Sequence, residues 1–152
     1  MFQSPRLRVN DKSDPNPGGL SSTEQFFNVC FCAAFGIAKV DKYLVATQSI
    51  PLFLAYFFAW WSAWVLGSEY ASRYNNVDFT HKIFWTMYGM GVVGMLMHTG
   101  GGVDGPNAYG FCCSIAGVNV FVGTMTLRVA LAVPEARVSG LWHSSFMFLM
   151  AA

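Results

Sequence analysis

The chain has 152 residues, of which 54% are hydrophobic and 11% are charged. Soluble domains carry about 25% charged residues, so this composition argues against an ordinary soluble domain. The net charge of +1 and the lack of a long basic run argue against nucleic-acid binding. The length corresponds to one domain, and it leaves no separate soluble module large enough to hold an active site.

The first 22 residues are polar and contain Pro15 and Pro17 beside two glycines. They lack the apolar core of an ordinary signal peptide. Because prolines and glycines interrupt helices, we predict an irregular tail over residues 1–22.

Four apolar stretches follow the tail, each long enough to cross a bilayer. A hydrocarbon core about 30 Å thick needs about 20 apolar residues in a helix, and lipid cannot satisfy the polar groups of other backbone conformations. The stretches are Gln25–Val40, Ile50–Tyr70, Ile83–Thr99 and Ala108–Leu127. They predict an all-α fold, a polytopic transmembrane bundle of four spans within residues 23–140.

The last twelve residues, 141–152, are apolar but too short to span a membrane. Leu141, Trp142 and His143 are typical of a membrane interface, and an apolar run follows them. We expect either a partial fifth span or an interfacial helix here, and we favour the partial span.

The lysines and arginines are distributed unequally between the two sides of the predicted bundle. Cytoplasmic loops of membrane proteins carry an excess of these residues. We therefore predict an amino terminus on the cytoplasmic side, or on the matrix or stromal side of an organelle membrane. Arg6, Arg8, Lys12, Arg73, Lys82, Arg128 and Arg137 would lie on that side, and Lys39 and Lys42 on the opposite side.

Small residues recur at every fourth position of the second span, which allows a neighbouring helix to approach closely. We predict helix packing at Ala55, Ala59, Ala63, Gly67 and Ala71, and at Gly91 and Gly94 of the third span. The second span also carries Trp60, Trp61 and Trp64 near its middle. These tryptophans are interpreted as bulky packing or lipid-contact residues, with a wall for a pigment, a quinone or a lipid as the alternative.

Polar residues at membrane depth are costly and are therefore functional candidates. Glu24 and Asn28 share one face of the first span, and Glu69 and Arg73 share one face at the end of the second. Glu24 and Arg73 should lie at the same membrane surface, where they would be able to pair. Two interpretations stay open for these four residues: structural ion pairs near the interface, or a polar entrance for a proton, an ion or a head group.

The histidines and cysteines do not indicate a metal or catalytic site. His81 and His98 are about 25 Å apart along one helix, too far to share a metal, and we expect satisfied or interfacial histidines. Cysteines lie in pairs in the first and fourth spans, and we interpret them as small apolar packing residues. We predict no enzyme activity and assign no catalytic residue, metal or cofactor; contacts with a lipid or a pigment are left open.

Four short segments together resemble a known family. Residues 5–8 read PRLR, residues 23–31 read TEQFFNVCF, residues 61–64 and 70–74 read WSAW and YASRY, and the acidic Asp78 follows. Their order is similar to that of the corresponding motifs in the low-temperature-requirement A (LtrA) family, and the resemblance covers about Pro5 to Arg128. The family has an aspartate where this chain has Asn28, and its members are usually longer, so the resemblance covers their amino-terminal part. It implies a polytopic helical fold and no particular reaction.

These features predict a non-catalytic integral membrane subunit that packs against a larger assembly. An energy-transducing complex, respiratory or photosynthetic, is a suitable host. The partners would be other transmembrane subunits and membrane lipids, and no nucleic acid. The alternative is a component of a small-molecule or ion transporter or channel of the LtrA-like type, with Glu24, Asn28, Glu69 and Arg73 along its polar path.

Overall fold

The chain is described here by a computed structural model, which covers residues 22–38, 50–74, 79–99 and 106–152. Within these ranges the chain forms α1 (Ser22–Ala38), α2 (Ile50–Arg73), α3 (Phe79–His98), α4 (Pro106–Ala132) and α5 (Arg137–Ala151), with a short 3-10 helix at Pro134–Ala136. The prediction of an all-α fold is confirmed for these ranges. Residues 1–21 of the predicted tail, and Lys39 and Lys42, lie outside them.

Two of the described helices are long and apolar enough to span a membrane. They are α2, with a mean hydropathy of 1.5, and α4 over Asn107–Ala132, with a mean hydropathy of 1.6. At a rise of 1.5 Å per residue, α2 is about 36 Å long, which exceeds a hydrocarbon core of about 30 Å. Because α1 and α3 do not reach the same combination of length and hydropathy, the finer prediction of four spans stays a prediction.

Prolines set several of the helix boundaries. Pro51 occupies the first turn of α2 and Pro106 begins α4, positions where the missing N–H of proline costs nothing. Pro134 cannot continue α4, because it would leave a carbonyl of the preceding turn without a donor. Val133 before it is extended, with φ −118° and ψ 107°, as expected for a residue that precedes proline. The chain therefore reverses direction between α4 and α5.

Helices α4 and α5 form a tight antiparallel hairpin. A Cβ on Gly140 would lie 2.7 Å from the Cβ of Ala130, and a Cβ on Gly123 would lie 3.1 Å from the Cβ of Met147. The residue numbers fall along α4 as they rise along α5, which shows the opposite directions of the two helices. The other face of α4 contacts α3 and α2, so α4 is the central helix of the described chain.

Large side chains from α2, α3 and α4 fill the core. Trp60, Met95, Val118 and Val129 are each 0% exposed. The four cysteines are all exposed, so the interpretation of these residues as packing residues does not hold for the core of the described chain. Exposed cysteines on apolar helices instead add to the apolar outer surface.

Candidate functional site at the polar end of the helices

A buried histidine joins three helices where α2 ends and α3 begins. His81 is 1% exposed, its Nε2 lies 2.6 Å from the Tyr70 hydroxyl, and its Nδ1 lies 3.4 Å from a guanidinium nitrogen of Arg128. Arginine is a donor and never an acceptor, so Nδ1 accepts in the contact with Arg128. In the tautomer that fits this contact, the His81 Nε2–H donates to the Tyr70 hydroxyl oxygen.

A polar contact between Glu69 and His143 joins α2 to α5 at the same end of the helices. Arg73 forms an ion pair with Glu69 one helical turn before it, and the other Glu69 carboxylate oxygen lies 3.5 Å from His143 Nε2. The side chains of Glu69, Arg73 and His143 are 32%, 51% and 44% exposed. Ion pairs with this exposure contribute about 0–1 kcal/mol to the stability of the folded state. The link orients α5 against α2 more than it stabilises the fold.

Glu69, Tyr70, Arg73 and His143 line a small cleft between α2, α4 and α5. Glu69, Thr126, Ser139 and His143 contribute polar atoms to its wall, and the cavity has a volume of about 20 Å³, which is enough for one water. Tyr74 lies at its edge just beyond α2. Burial raises the pKa of the Tyr74 phenol, the Arg73 guanidinium opposes that rise and the Glu69 carboxylate adds to it. We call Tyr70, His81, Arg128, Glu69 and His143 the polar end.

The other predicted polar residues lie on α1. The indole N–H of Trp64 donates to the Asn28 side-chain oxygen at 3.1 Å, which ties α1 to α2. The Glu24 side chain lies outside the described residues, and with it the predicted pairing of Glu24 with Arg73. Asn28 therefore acts here as a hydrogen-bond partner between two helices, whereas Glu69 belongs to the polar end and Arg73 is its ion-pair partner.

The predicted packing stripe of α2 divides into two halves. Ala63, Gly67 and Ala71 form its closed half, because all three are buried. Tyr88 of α3 covers the first two: its hydroxyl donates to the Ala63 carbonyl at 2.7 Å, and a Cβ on Gly67 would lie 2.7 Å from the same hydroxyl oxygen. The small residues of the closed half therefore make room for one large side chain.

The open half of the stripe consists of Ala55 and Ala59. Ala55 is exposed and Ala59 is half-buried, so no described helix covers this half completely. The predicted packing glycines of α3 both face α4. A Cβ on Gly91 would lie 2.7 Å from a methyl of Val118, and a Cβ on Gly94 would lie 2.5 Å from the Ser114 hydroxyl oxygen.

Sequence reasoning missed the burial of His81 and its contact with Arg128. Arg128 was expected at one membrane surface, among the basic residues of that side, and His81 was expected to be a satisfied or an interfacial histidine. A location at the same end of the helices is compatible with a contact between His81 and Arg128. However, 47 residues separate them, and no local sequence pattern predicts that they pair. Among the residues that the structure covers, no group of three histidine, cysteine or acidic side chains is placed to hold a metal ion.

The chain was compared with protein-family models, with curated proteins and with solved structures, and none of the three comparisons gave a match. The geometry of the polar end and of the exposed helix faces therefore carries the functional argument.

Proposed function

We propose that this chain is a non-catalytic integral membrane subunit that packs against a larger membrane assembly. Helices α1 to α4 would be its four spans, and α5 would be a partial fifth span that returns along α4. The amino terminus would lie on the cytoplasmic side, or on the matrix or stromal side of an organelle. Its partners would be other transmembrane subunits and lipids, in a complex such as a respiratory or photosynthetic one.

The uncovered apolar surface of the two long helices is the observation that carries this proposal. In their most apolar 18-residue windows, 22% of α2 and 44% of α4 is buried. A helix that is apolar on all sides belongs in a protein core or in a membrane. The described chain covers too little of α2 to be such a core, which favours lipid or a partner helix as the remaining cover.

The contacts of the polar end support the proposed orientation. Tyr70 near the end of α2, His81 near the start of α3 and Arg128 near the end of α4 meet through hydrogen bonds. These contacts bring Arg73, Lys82 and Arg128 to one end of the helices. The location of these three basic residues at the same end agrees with the unequal distribution of lysines and arginines from which the orientation was predicted.

The open half of the α2 stripe supports a subunit role in particular. Ala55 offers a surface that a helix backbone is able to approach closely, and membrane helices associate through such surfaces. Leu54 and Phe58 flank it and are 41% and 59% exposed. A helix from another subunit would fill this surface better than disordered lipid chains, because it would make more contacts per unit area.

The test is a native gel of solubilised membranes from cells that carry the full chain with a terminal tag. We expect the tag to migrate within one large complex of fixed composition, and mass spectrometry of that band would identify the partners. Resistance of the chain to alkaline carbonate extraction would test membrane insertion separately. A small free species, both in mild detergent and after cross-linking in intact membranes, would contradict the subunit proposal.

A second candidate is a component of a transporter or channel, and the polar end is the observation that favours it. A carboxylate, an arginine and a histidine, Glu69, Arg73 and His143, line a water-sized cleft, and such groups are the kinds that line proton or ion paths. Flux through vesicles containing the Glu69→Gln and Glu24→Gln variants would test it. Glu135→Gln is the matched control, because Glu135 is exposed on the turn between α4 and α5. Unchanged flux in the first two variants would remove this candidate.

The resemblance to the LtrA family stays a prediction based on the order of its motifs. It agrees with a polytopic helical chain, and it adds no substrate to either candidate.

A further inference from the structure

An apolar groove runs between α1 and α3 on the outside of the described helices. Phe26, Cys30 and Ala34 of α1 and Thr86, Gly89 and Val93 of α3 line it, and its volume is about 460 Å³. Volumes of about 300–1,000 Å³ are typical of small-molecule sites. We call it the α1–α3 groove.

The groove has almost no polar group to offer a ligand. Its one hydroxyl, on Thr86, donates to the Lys82 carbonyl at 2.9 Å, so the threonine is bonded within its own helix. Phe31 and Val92 are the buried residues of its lining, and Phe26 and Val93 at the rim are 67% and 56% exposed. A site with so few polar groups suits an aliphatic chain better than a ring that carries carbonyl or hydroxyl groups.

Lys82 extends the same face of α3 toward the end of the helix. Residues 82, 86, 89 and 93 recur at intervals of three and four, so they form one stripe along α3. Lys82 is about 6 Å nearer the start of α3 than Thr86, and a long basic side chain places its ammonium group further toward the membrane surface.

Lys82 also differs from Arg73 and Arg128, the basic residues of the neighbouring helices α2 and α4 at this end. Arg73 is paired with Glu69 and Arg128 contacts His81. Lys82 is exposed and has no ion-pair partner among the described residues. Its charge is therefore available to an anion at the mouth of the groove.

We propose that the α1–α3 groove and Lys82 together bind one anionic phospholipid. One acyl chain lies in the groove, and the phosphate of the head group lies beside the Lys82 ammonium. The proposal rests on the membrane insertion proposed above, because α1 and α3 would then begin at the same membrane surface. Anionic lipids are enriched at the cytoplasmic surface, where the charge bias of the chain also places Lys82.

The experiment uses the purified full chain in phosphatidylcholine vesicles that contain a photoreactive lipid with a diazirine in its acyl chain. One preparation contains the phosphatidylglycerol form of the probe and the other the phosphatidylcholine form. We expect labelling to concentrate on the α1 and α3 peptides that line the groove, with the phosphatidylglycerol probe preferred. Mass spectrometry of the labelled peptides gives both results.

Two pairs of variants separate the head group from the chain. Lys82→Gln should lower the preference for phosphatidylglycerol about fivefold, the effect of one basic residue at a membrane surface. Arg137→Gln should leave the preference unchanged, because Arg137 is exposed on α5 and not on this face of α3. Cys30→Trp should fill the groove and lower labelling by both probes, whereas Cys32→Trp, at an exposed position outside the groove, should not.

Labelling spread evenly over the exposed faces of α1, α3 and α5 would overturn the proposal. Equal labelling by the two probes, or equal effects of Lys82→Gln and Arg137→Gln, would also overturn it. Failure of membrane insertion gives a different result: neither probe labels the chain, and alkaline carbonate releases it from the vesicles. That outcome would overturn the membrane proposal as well, whereas even labelling of an inserted chain overturns the lipid site alone.

Discussion

The two halves of α2 have the same spacing of small residues but different surroundings. In the closed half, Ala63 and Gly67 lie under Tyr88, whose hydroxyl donates to the Ala63 carbonyl at 2.7 Å. In the open half, Ala55 is exposed beside Phe58, which is 59% exposed. A stripe of small residues therefore specifies a close approach without specifying what approaches.

The difference comes from the residues that surround each half. The closed half leads into the polar end, where Tyr70 is bonded to His81 and α3 is held beside α2. The open half has aromatic neighbours on its own helix, such as the stacked rings of Phe57 and Trp61, whose centroids are 6.2 Å apart. We infer that the closed half maintains the fold of the chain and that the open half is available to a partner.

The largest expected effect follows from enlarging one residue in each half. Gly67→Leu would drive a side chain into the Tyr88 hydroxyl and break its bond to Ala63. Overpacking and the lost hydrogen bond together should lower the free energy of unfolding by about 2–4 kcal/mol. Ala55→Leu, the matched variant in the open half, should change it by less than about 0.5 kcal/mol. Unfolding in mixed detergent micelles measures both.

The same pair of variants also tests the role of the open half in assembly. Ala55→Leu should reduce the amount of the chain in the large complex on a native gel while leaving its helix content unchanged. Equal destabilisation by both variants would show that the two halves do not differ. An unchanged complex with Ala55→Leu would place the partner on another face.

A second effect, smaller than the first, concerns the contact that holds α3 beside the closed half. His81→Leu removes the hydrogen bonds of His81 to Tyr70 and Arg128 in a buried environment. The free energy of unfolding should fall by about 1–3 kcal/mol, because a buried polar group that loses its hydrogen-bond partner stays desolvated without compensation. His143→Leu serves as the control, since the His143 side chain is 44% exposed. Equal unfolding midpoints for the two variants would contradict a structural role for His81.

The sequence predicts the helices of this chain better than their contacts. Proline positions and apolar run lengths place α2 and α4 within a few residues, because both depend on local chemistry. The span predicted at Gln25–Val40 overlaps α1. The apolar segment 141–152 lies within α5 up to Ala151, and α5 begins four residues before the segment. That earlier start follows from Pro134, whose turn returns the chain directly onto α4.

The candidate site was less predictable, because its residues come from distant parts of the sequence. Glu69 and Arg73 are one turn apart, and their pairing follows from helix geometry. His81 and Arg128 meet because α3 and α4 pack through Gly91 and Gly94, a relation that no local pattern encodes. The same reasoning explains why the stripe of α2 was recognised while its division into two halves was not.

Removal of the Tyr88 hydroxyl, which contacts the closed half, should lower the free energy of unfolding by about 1 kcal/mol. Tyr88→Phe retains the ring over Gly67 but loses the bond to the Ala63 carbonyl. A typical intramolecular hydrogen bond contributes about that much. Tyr109→Phe is the control, because Tyr109 is 78% exposed. A loss as large as that of Gly67→Leu would show that the hydroxyl, and not the fit of the ring, holds the closed half together.

The smallest expected effect on stability is also the one that best separates the two candidate functions. Glu69→Gln weakens the contact between α2 and His143 of α5. Charged groups with this exposure contribute at most about 1 kcal/mol to the free energy of unfolding. Amide hydrogen exchange should therefore rise in α5 while α3 stays protected. Because the fold survives, any loss of flux in this variant, beside unchanged flux in Glu135→Gln, would report on the polar path itself. Faster exchange in α5 with unchanged flux would instead assign Glu69 to helix orientation, as the subunit proposal requires.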